Sequence, residues 1–180
     1  LTLTNTSASA GTTLLGASAV GYTSFTGNLL VTAPSGSITL KLANANAAGN
    51  NGTNIVLGAN AALDLQATIN NNVYVGGTGI ASAGAVISSA TGGGVASGYT
   101  VNLTSSTKLG NANQLTFSGN IVDNGGNYLL TLSGAGGVYL NGANNYSGGT
   151  TVTAGSLWLG HNSALGTGTL TWNNNGSTLM

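Results

Sequence analysis

Residues 129–172 read LLTLSGAGGVYLNGANNYSGGTTVTAGSLWLGHNSALGTGTLTW, and the rest of the chain repeats the pattern of this stretch more loosely. It contains three short runs rich in β-branched, aromatic or aliphatic residues: Val138-Tyr139-Leu140, Thr150-Thr151-Val152-Thr153 and Leu157-Trp158-Leu159. Each run is too short for a helix and is typical of a strand. The Gly and Asn clusters between the runs supply residues that tolerate positive φ at sharp corners. Short strands that alternate with tight corners predict the coils of a β-solenoid.

The same stretch resembles a repeat of bacterial autotransporters. The residues that carry the likeness are Gly134-Ala135-Gly136, 140–152 (LNGANNYSGGTTV), 154–157 (AGSL) and 164–170 (ALGTGTL). In this order they are similar to the passenger-associated repeat, present here in one copy over about a quarter of the chain. Family members often carry a Lys just before the Gly-Ala-Gly, where this chain has Leu132-Ser133. The resemblance implies a secreted parallel β-helix, extracellular or at the bacterial cell surface, without enzymatic activity.

Charge is nearly absent from the chain. Four of its 180 residues are charged (Lys41, Asp64, Lys108 and Asp123), whereas an ordinary soluble domain is roughly a quarter charged. A hydrophobic content of 41% argues against disorder, and no apolar run is long enough for a transmembrane helix. Two lysines without a basic strip cannot neutralise a phosphate backbone, so we do not expect nucleic acid as a partner.

A parallel β-helix explains this composition better than an antiparallel sandwich. Gly, Asn, Thr and Ser are poor helix formers. A sandwich has edges that proteins usually guard with Lys or Pro, and the chain has two Lys and one Pro. Stacked coils have free edges only at their ends, and their Asn side chains can hydrogen-bond along the axis. We predict one all-β domain over 1–180, a β-solenoid of roughly eight coils with about 22 residues each.

Outside the repeat, apolar and polar residues alternate in further short runs. They predict strands at Leu1–Thr4, Thr12–Leu15, Val20–Phe25, Leu29–Thr32, Ser37–Leu42, Asn54–Leu57, Ala62–Leu65, Val73–Val75, Ala85–Ser88, Tyr99–Thr104, Leu115–Ser118, Tyr128–Leu132 and Ser177–Met180. Between them, 44–53 reads as a polar corner that protrudes as a loop. In the small-residue stretch 76–98, we expect Ala85–Ser88 to be the one firm strand.

The sequence offers no complete catalytic or metal site. Asp64 and Asp123 are expected nearly three coils apart, roughly 13 Å at the strand spacing, which exceeds the ~5–9.5 Å of a glycosidase pair. We interpret each as a solvated corner residue, near Lys41 or Lys108. His161, the single histidine, has no Cys or acidic neighbour in sequence and is expected at the surface. We therefore predict no enzyme activity, no metal and no cofactor.

The aromatic residues near the C-terminus leave two interpretations open. Trp158 lies between Leu157 and Leu159, so its indole faces outward if the leucines face the core. Together with Trp172 and Tyr146 it could form a glycan-binding surface. Alternatively, these rings pack between coils or against a neighbouring molecule, and we favour this second interpretation.

Both ends of the chain read as strands without a charged or proline-containing cap. Solenoids normally have polar terminal caps that cover their first and last strands. A strand edge without such a cap can pair with a strand of another chain. We expect either that the chain is an excerpt of a longer passenger or that its ends join head to tail with other copies. The joint would form by simple stacking of coils or by donation of the N-terminal strand to the next copy. The residues expected at such a joint are Leu1, Thr2, Leu3, Thr4, Ser177, Thr178, Leu179 and Met180.

Two functions are compatible with these features. The leading hypothesis is a non-enzymatic, secreted or surface structural protein that assembles head to tail with itself into an extracellular filament. Near-neutral surfaces repel each other little, which favours this hypothesis. The alternative is a fragment of an autotransporter-like adhesin passenger that binds glycans or host surfaces, with a translocator barrel beyond Met180.

Overall fold

The computed structural model describes residues 1–15, 27–49, 53–173 and 178–180, with the backbone alone at 12–15. The described residues form nineteen strands and one 3₁₀ turn, Ile80–Ser82. The strands are β1 Thr2–Thr4, β2 Ala10–Leu15, β3 Leu29–Thr32, β4 Ser37–Leu42, β5 Asn54–Leu57, β6 Ala61–Leu65, β7 Thr68–Ile69, β8 Asn72–Gly77, β9 Val86–Ser88, β10 Gly93–Val95, β11 Thr100–Asn111, β12 Leu115–Phe117, β13 Asn120–Val122, β14 Leu130–Ser133, β15 Gly137–Leu140, β16 Thr150–Val152, β17 Ser156–Leu159, β18 Leu170–Trp172 and β19 Thr178–Leu179.

The strands stack in three parallel columns that form a β-solenoid. The first column contains β1, β3, β5, β8, the start of β11 and β13. The second column contains β2, β4, β6, β9, the end of β11, β14, β16 and β18. The third column is a separate six-stranded sheet of β7, β10, β12, β15, β17 and β19. The long strand β11 joins the first two columns into one sheet, and its pairing register with β8 shifts between Leu103 and Thr107.

The core consists of aliphatic ladders that run along the solenoid axis. Alternate residues of each strand point inward, as in β4, where Ile38, Leu40 and Leu42 are buried. In-register pairing places inward residues on one another, so that Leu40 lies opposite Leu63 in the next turn. Each turn thus buries the apolar face of its neighbours, which stabilises the stack without charged edges.

The predicted number of coils is slightly too high. The solenoid has about six turns rather than roughly eight. Successive turns differ in length, since Thr2 lies opposite Leu30 but Asn54 lies opposite Asn72. Within the described residues, the first and third columns contain six strands each. The predicted number came from dividing the chain length by a mean coil length of about 22 residues, which also counts the incomplete turns at the two ends.

Asparagines form the axial hydrogen bonds expected of stacked coils. At the start of the first column, Asn54 donates through Nδ2 to Asn28 Oδ1 at 3.0 Å. Asn72 donates in the same way to Asn54 Oδ1 at 3.1 Å, and Asn72 Oδ1 accepts the Thr100 N–H at 2.9 Å. The ladder ties four consecutive turns together at one corner, which explains part of the high Asn content.

Two of the local predictions outside the repeat are wrong. The described part of 44–53 does not protrude, because Ala47 and Ala48 are buried and the Ala45 carbonyl accepts the Asn70 N–H. The stretch 76–98 contains the second strand β10, whose glycines hid it from an apolar-pattern search. The predicted strand Val20–Phe25 lies outside the described residues, as does Ser177.

Candidate functional site

Both ends of the described solenoid have strands with one unpaired edge. Within the residues that the structure describes, β1 pairs only with β3 and β2 only with β4. At the other end, β18 pairs only with β16 and β19 only with β17. Such edges present backbone N–H and C=O groups to a further strand. Because all columns are parallel, the edges at the two ends have the polarity needed to pair with each other.

Large exposed hydrophobic side chains accompany these edges. In the described part of the chain they occur only in or beside the edge strands β1 and β19 and the strands that pair with them, β3 and β17. They are Leu1, Leu30, Leu159, Leu179 and Met180, with Leu1 63% and Met180 61% exposed. Both ends therefore combine open edges with apolar surface.

The structure separates the two groups of predicted joint residues. Thr2–Thr4 form β1 in the first column, and Thr178–Leu179 form β19 in the third. Strands in different columns lie on different sides of the solenoid. In a straight axial stack, Leu1–Thr4 and Thr178–Met180 therefore do not pair with each other, although each lies at an open end.

Trp158 and Tyr139 form an aromatic stack on the outer face of the third column. The two residues are in register on β15 and β17, and their ring centroids lie 4.3 Å apart with an interplanar angle of 3°. Gly137 leaves the room that the indole occupies, since a Cβ there would overlap the Trp158 ring. Leu157 points into the core, so the expectation that Trp158 points outward is confirmed, as is packing between coils.

The other two aromatic candidates belong to the core. Trp172 is half-buried and packs against the last turn of the core cluster. Tyr146 is fully buried, and its hydroxyl shares a 2.6 Å hydrogen bond with the Thr150 hydroxyl. Burial raises the pKa of Tyr146 to about 12, and the hydrogen bond from Thr150 acts in the opposite direction. The interpretation of Tyr146 as an exposed glycan-binding ring is wrong, because the 141–149 segment folds inward over the core.

Asp64 is a buried anchor on the second column. Its carboxylate accepts the Ser89 N–H at 2.9 Å, the Ser89 hydroxyl at 2.6 Å and Gln66 Nε2 at 3.4 Å. Lys41 of the preceding turn lies 3.6 Å away, so the expected nearness to Lys41 is confirmed. The expected exposure is wrong, because neighbouring turns cover Asp64 and leave its side chain 1% exposed.

Asp123 is a second anchor, at the corner that follows β13. It accepts the Ser147 N–H and hydroxyl, both at 2.8 Å, together with the N–H groups of Gly125 and Tyr128. Burial acts to raise the pKa of Asp123, but these hydrogen bonds together outweigh it and hold the pKa below its ordinary value. Asp123 does lie at a corner as expected, but it is buried rather than solvated.

The carboxylates and the histidine remain apart, as expected. Three steps of the first column, from β5 to β8, β11 and β13, separate the turn of Asp64 from that of Asp123. His161 is exposed, and its Nδ1 accepts the Ser163 N–H at 3.0 Å. In the described residues, no three metal-binding side chains cluster and no helix is long and apolar enough to cross a membrane.

Sequence reasoning missed the structural role of both carboxylates. Asp123 has a local signal, because an Asp before Asn124-Gly125 is typical of a turn in which the side chain accepts backbone N–H groups. Its bonds to Ser147 come from the next turn and could not be read from spacing alone.

The fold thus defines the class, a parallel β-solenoid. No family model, curated protein or solved structure matches this chain.

Proposed function

We propose that this protein is a non-enzymatic structural β-solenoid that assembles head to tail with copies of itself into an extracellular filament. The observation that carries the proposal is the coincidence of open parallel edges and exposed hydrophobic side chains at both ends. Pairing one end with the other end of a second copy satisfies both features. Because the two contacting surfaces differ, each added copy leaves a new open end and the assembly grows as a filament.

The chemistry of the lateral surface supports the same proposal. With four charged residues in the chain, long-range repulsion between copies is weak. The charges in the described turns are also held locally, Lys41 beside Asp64 and Lys108 by the Ser82 carbonyl. The axial ladders already stabilise turn against turn, so a joint between copies requires no new type of contact.

An origin in a bacterial surface protein forms part of the proposal. Its support is the motif string of residues 129–172, which falls on consecutive turns formed by β14 to β18. In those turns the Gly residues occupy tight corners, as at Gly155, where φ is 79° and a Cβ would overlap the Gly136 carbonyl. We propose a secreted or surface-displayed location on this basis.

Assembly is tested with two lysine variants of equal charge. Leu170→Lys places an ammonium in the open edge strand β18, whereas Thr151→Lys places one on β16 in the paired interior of the same column. We expect the wild-type chain and Thr151→Lys to sediment as concentration-dependent polymers, and Leu170→Lys to sediment as a folded monomer with an unchanged circular dichroism spectrum. A wild-type chain that stays monomeric at high concentration overturns the proposal.

Glycan binding is the second candidate, and the outward stack of Tyr139 and Trp158 favours it. Aromatic faces bind sugar rings through their apolar side, with polar neighbours for the hydroxyl groups. Trp158→Ala should abolish retention on a glycan array or on insoluble polysaccharide, while Trp172→Ala, which alters a core ring, should retain it. Equal binding by wild type and Trp158→Ala excludes this surface as the site.

A further inference from the structure

We infer that the second column continues across the joint between two copies, with β18 of one copy paired in parallel with β2 of the next and Thr171 opposite Thr12. This inference rests on the proposed head-to-tail assembly and assigns its contact strands and register. The sequence had pointed instead to the extreme terminal residues, which the structure places in different columns.

The second column is chosen because it has an open strand at each end of the described solenoid. It begins with β2 and ends with β18, and each is paired on one side only in the described residues. The first column begins with β1, but its last strand β13 is covered by the next turn, where the Asn145 N–H donates to the Ile121 carbonyl. In the described residues, the third column begins with β7, which belongs to the third turn rather than the first.

The hydrogen-bond pattern of this column gives the joint its geometry. Within the chain, an inward residue donates its N–H to the carbonyl of the residue that precedes its partner in the next turn. Leu63 donates in this way to Ala85, Leu130 to Gly149 and Thr150 to Thr169, at 2.9–3.0 Å. The Thr169 carbonyl and Asn173 N–H bond with β16, so the Leu170 and Trp172 backbone groups face the open edge. Continuation of the pattern pairs the Leu170 N–H with the Ala10 carbonyl of the next copy.

The register follows from one unbroken ladder through the column. Its members, each in register with the next, are Thr13, Leu40, Leu63, Val86, Leu109, Leu132, Val152 and Trp172. Stacking two copies without a shift brings Trp172 to Thr13, and hence Thr171 to Thr12 and Leu170 to Gly11.

The sizes of the residues at the two ends are complementary in this register. The last turn carries the large residues Leu170 and Trp172, both partly exposed at the end of the core. The first turn has Gly11 and Thr13 at the matching positions. A Cβ at Gly11 would lie 3.2 Å from the Asn5 amide nitrogen, so a larger residue there requires a small shift of the Asn5 side chain. Gly11 has no side chain, so the Leu170 side chain meets no bulky partner at that position of the joint.

Paired cysteines measure the register directly, since the natural chain has no Cys. In the inferred joint, Thr12→Cys and Thr171→Cys place their Cα atoms about 4.8 Å apart, within the range of a disulfide. The matched control, Thr12→Cys with Thr169→Cys, is shifted by two residues and separates the Cα atoms by about 8 Å, too far for a bridge. Residues 12 and 171 lie at opposite ends of one chain, so any disulfide between them is intermolecular.

Both double variants are oxidised after electron microscopy has scored them for filaments. We expect a ladder of covalent oligomers on a non-reducing gel for the Thr171 variant, lost on reduction, and monomers for the Thr169 variant. Filaments without cross-links in the Thr171 variant, or with equal cross-links in both, overturn the inferred joint while the proposed assembly stands. Monomers without filaments overturn the assembly and the joint together.

Discussion

At the scale of single residues, the few charged groups act as structural anchors. Asp123 accepts two hydrogen bonds from its own corner and two from Ser147 in the next turn. A buried carboxylate that accepts this many bonds contributes stability only while it is ionised. The near-absence of charge therefore does not make the remaining charges dispensable.

Asp123→Asn tests this anchor. The amide turns an NH₂ group toward N–H donors, and we expect a loss of about 1–3 kcal/mol in the free energy of unfolding near neutral pH. Because the pKa of Asp123 is lowered in the folded state, the wild-type contribution is present above about pH 4 and is lost as the pH falls through the folded pKa. Urea titrations at several pH values measure both effects. An identical acid dependence in wild type and variant would contradict the assignment.

Tyr146→Phe tests the tyrosine that is buried in the described part of the chain. Loss of its hydroxyl leaves the Thr150 hydroxyl without this partner, and we expect a cost of about 1–2 kcal/mol in unfolding experiments. The raised pKa of Tyr146 stabilises the fold below about pH 10, and this contribution disappears as the pH rises toward 12. An ultraviolet titration of phenolate absorbance should lose its last step, near 12, in the variant. Retention of that step would assign it to another tyrosine.

The contrast between Trp158 and Tyr146 shows what a sequence reveals about single residues. Trp158 lies in a regular strand between two leucines, so alternation alone predicts its outward direction. Tyr146 lies in a segment where buried and exposed side chains also alternate, but Gly142 and Asn144 occupy the buried positions before it, so no apolar pattern marks the inward face. Its burial depends on how that segment crosses the core, which only the folded turns determine.

At the scale of elements, close turn-to-turn approach makes particular glycines necessary. Gly110 lies in β11, and a Cβ there would overlap the Ala83 carbonyl oxygen. Gly98 has a φ of 88° but open space around it. We expect Gly110→Ala to cost about 3 kcal/mol or more through overpacking and Gly98→Ala about 1 kcal/mol through backbone strain. Thermal or urea unfolding compares the two variants, and equal losses would contradict the close approach.

The strands most clearly predicted were those with regular apolar alternation. β3, β4 and β5 have the predicted bounds, since their inward positions carry Leu, Val or Ile. The glycines of β10 gave no apolar pattern, although pairing with β7 and β12 makes the segment a strand. The strand β11 extends beyond its predicted end at Thr104. The polar residues 104–106 interrupt the apolar alternation and coincide with a shift in pairing register, but the strand continues through them to Asn111.

At the scale of the whole molecule, the parallel solenoid was predictable and its ends were not. A chain with few charges, many Gly and Asn residues and short strands cannot easily guard the edges of a sandwich, which favours stacking. The column in which each strand lies depends on the variable lengths of the corners. For this reason the sequence could not show which strands lie at each end of the described solenoid.

The proposed assembly rests on one claim, that copies of this protein continue one another's parallel columns. The most direct test is electron microscopy of the purified chain at high concentration, with an averaged power spectrum. We predict unbranched filaments with a layer line near 4.8 Å along the axis, the spacing of strands stacked without a gap at the joints. Isolated short rods, or filaments whose strands run along their length, would contradict the claim.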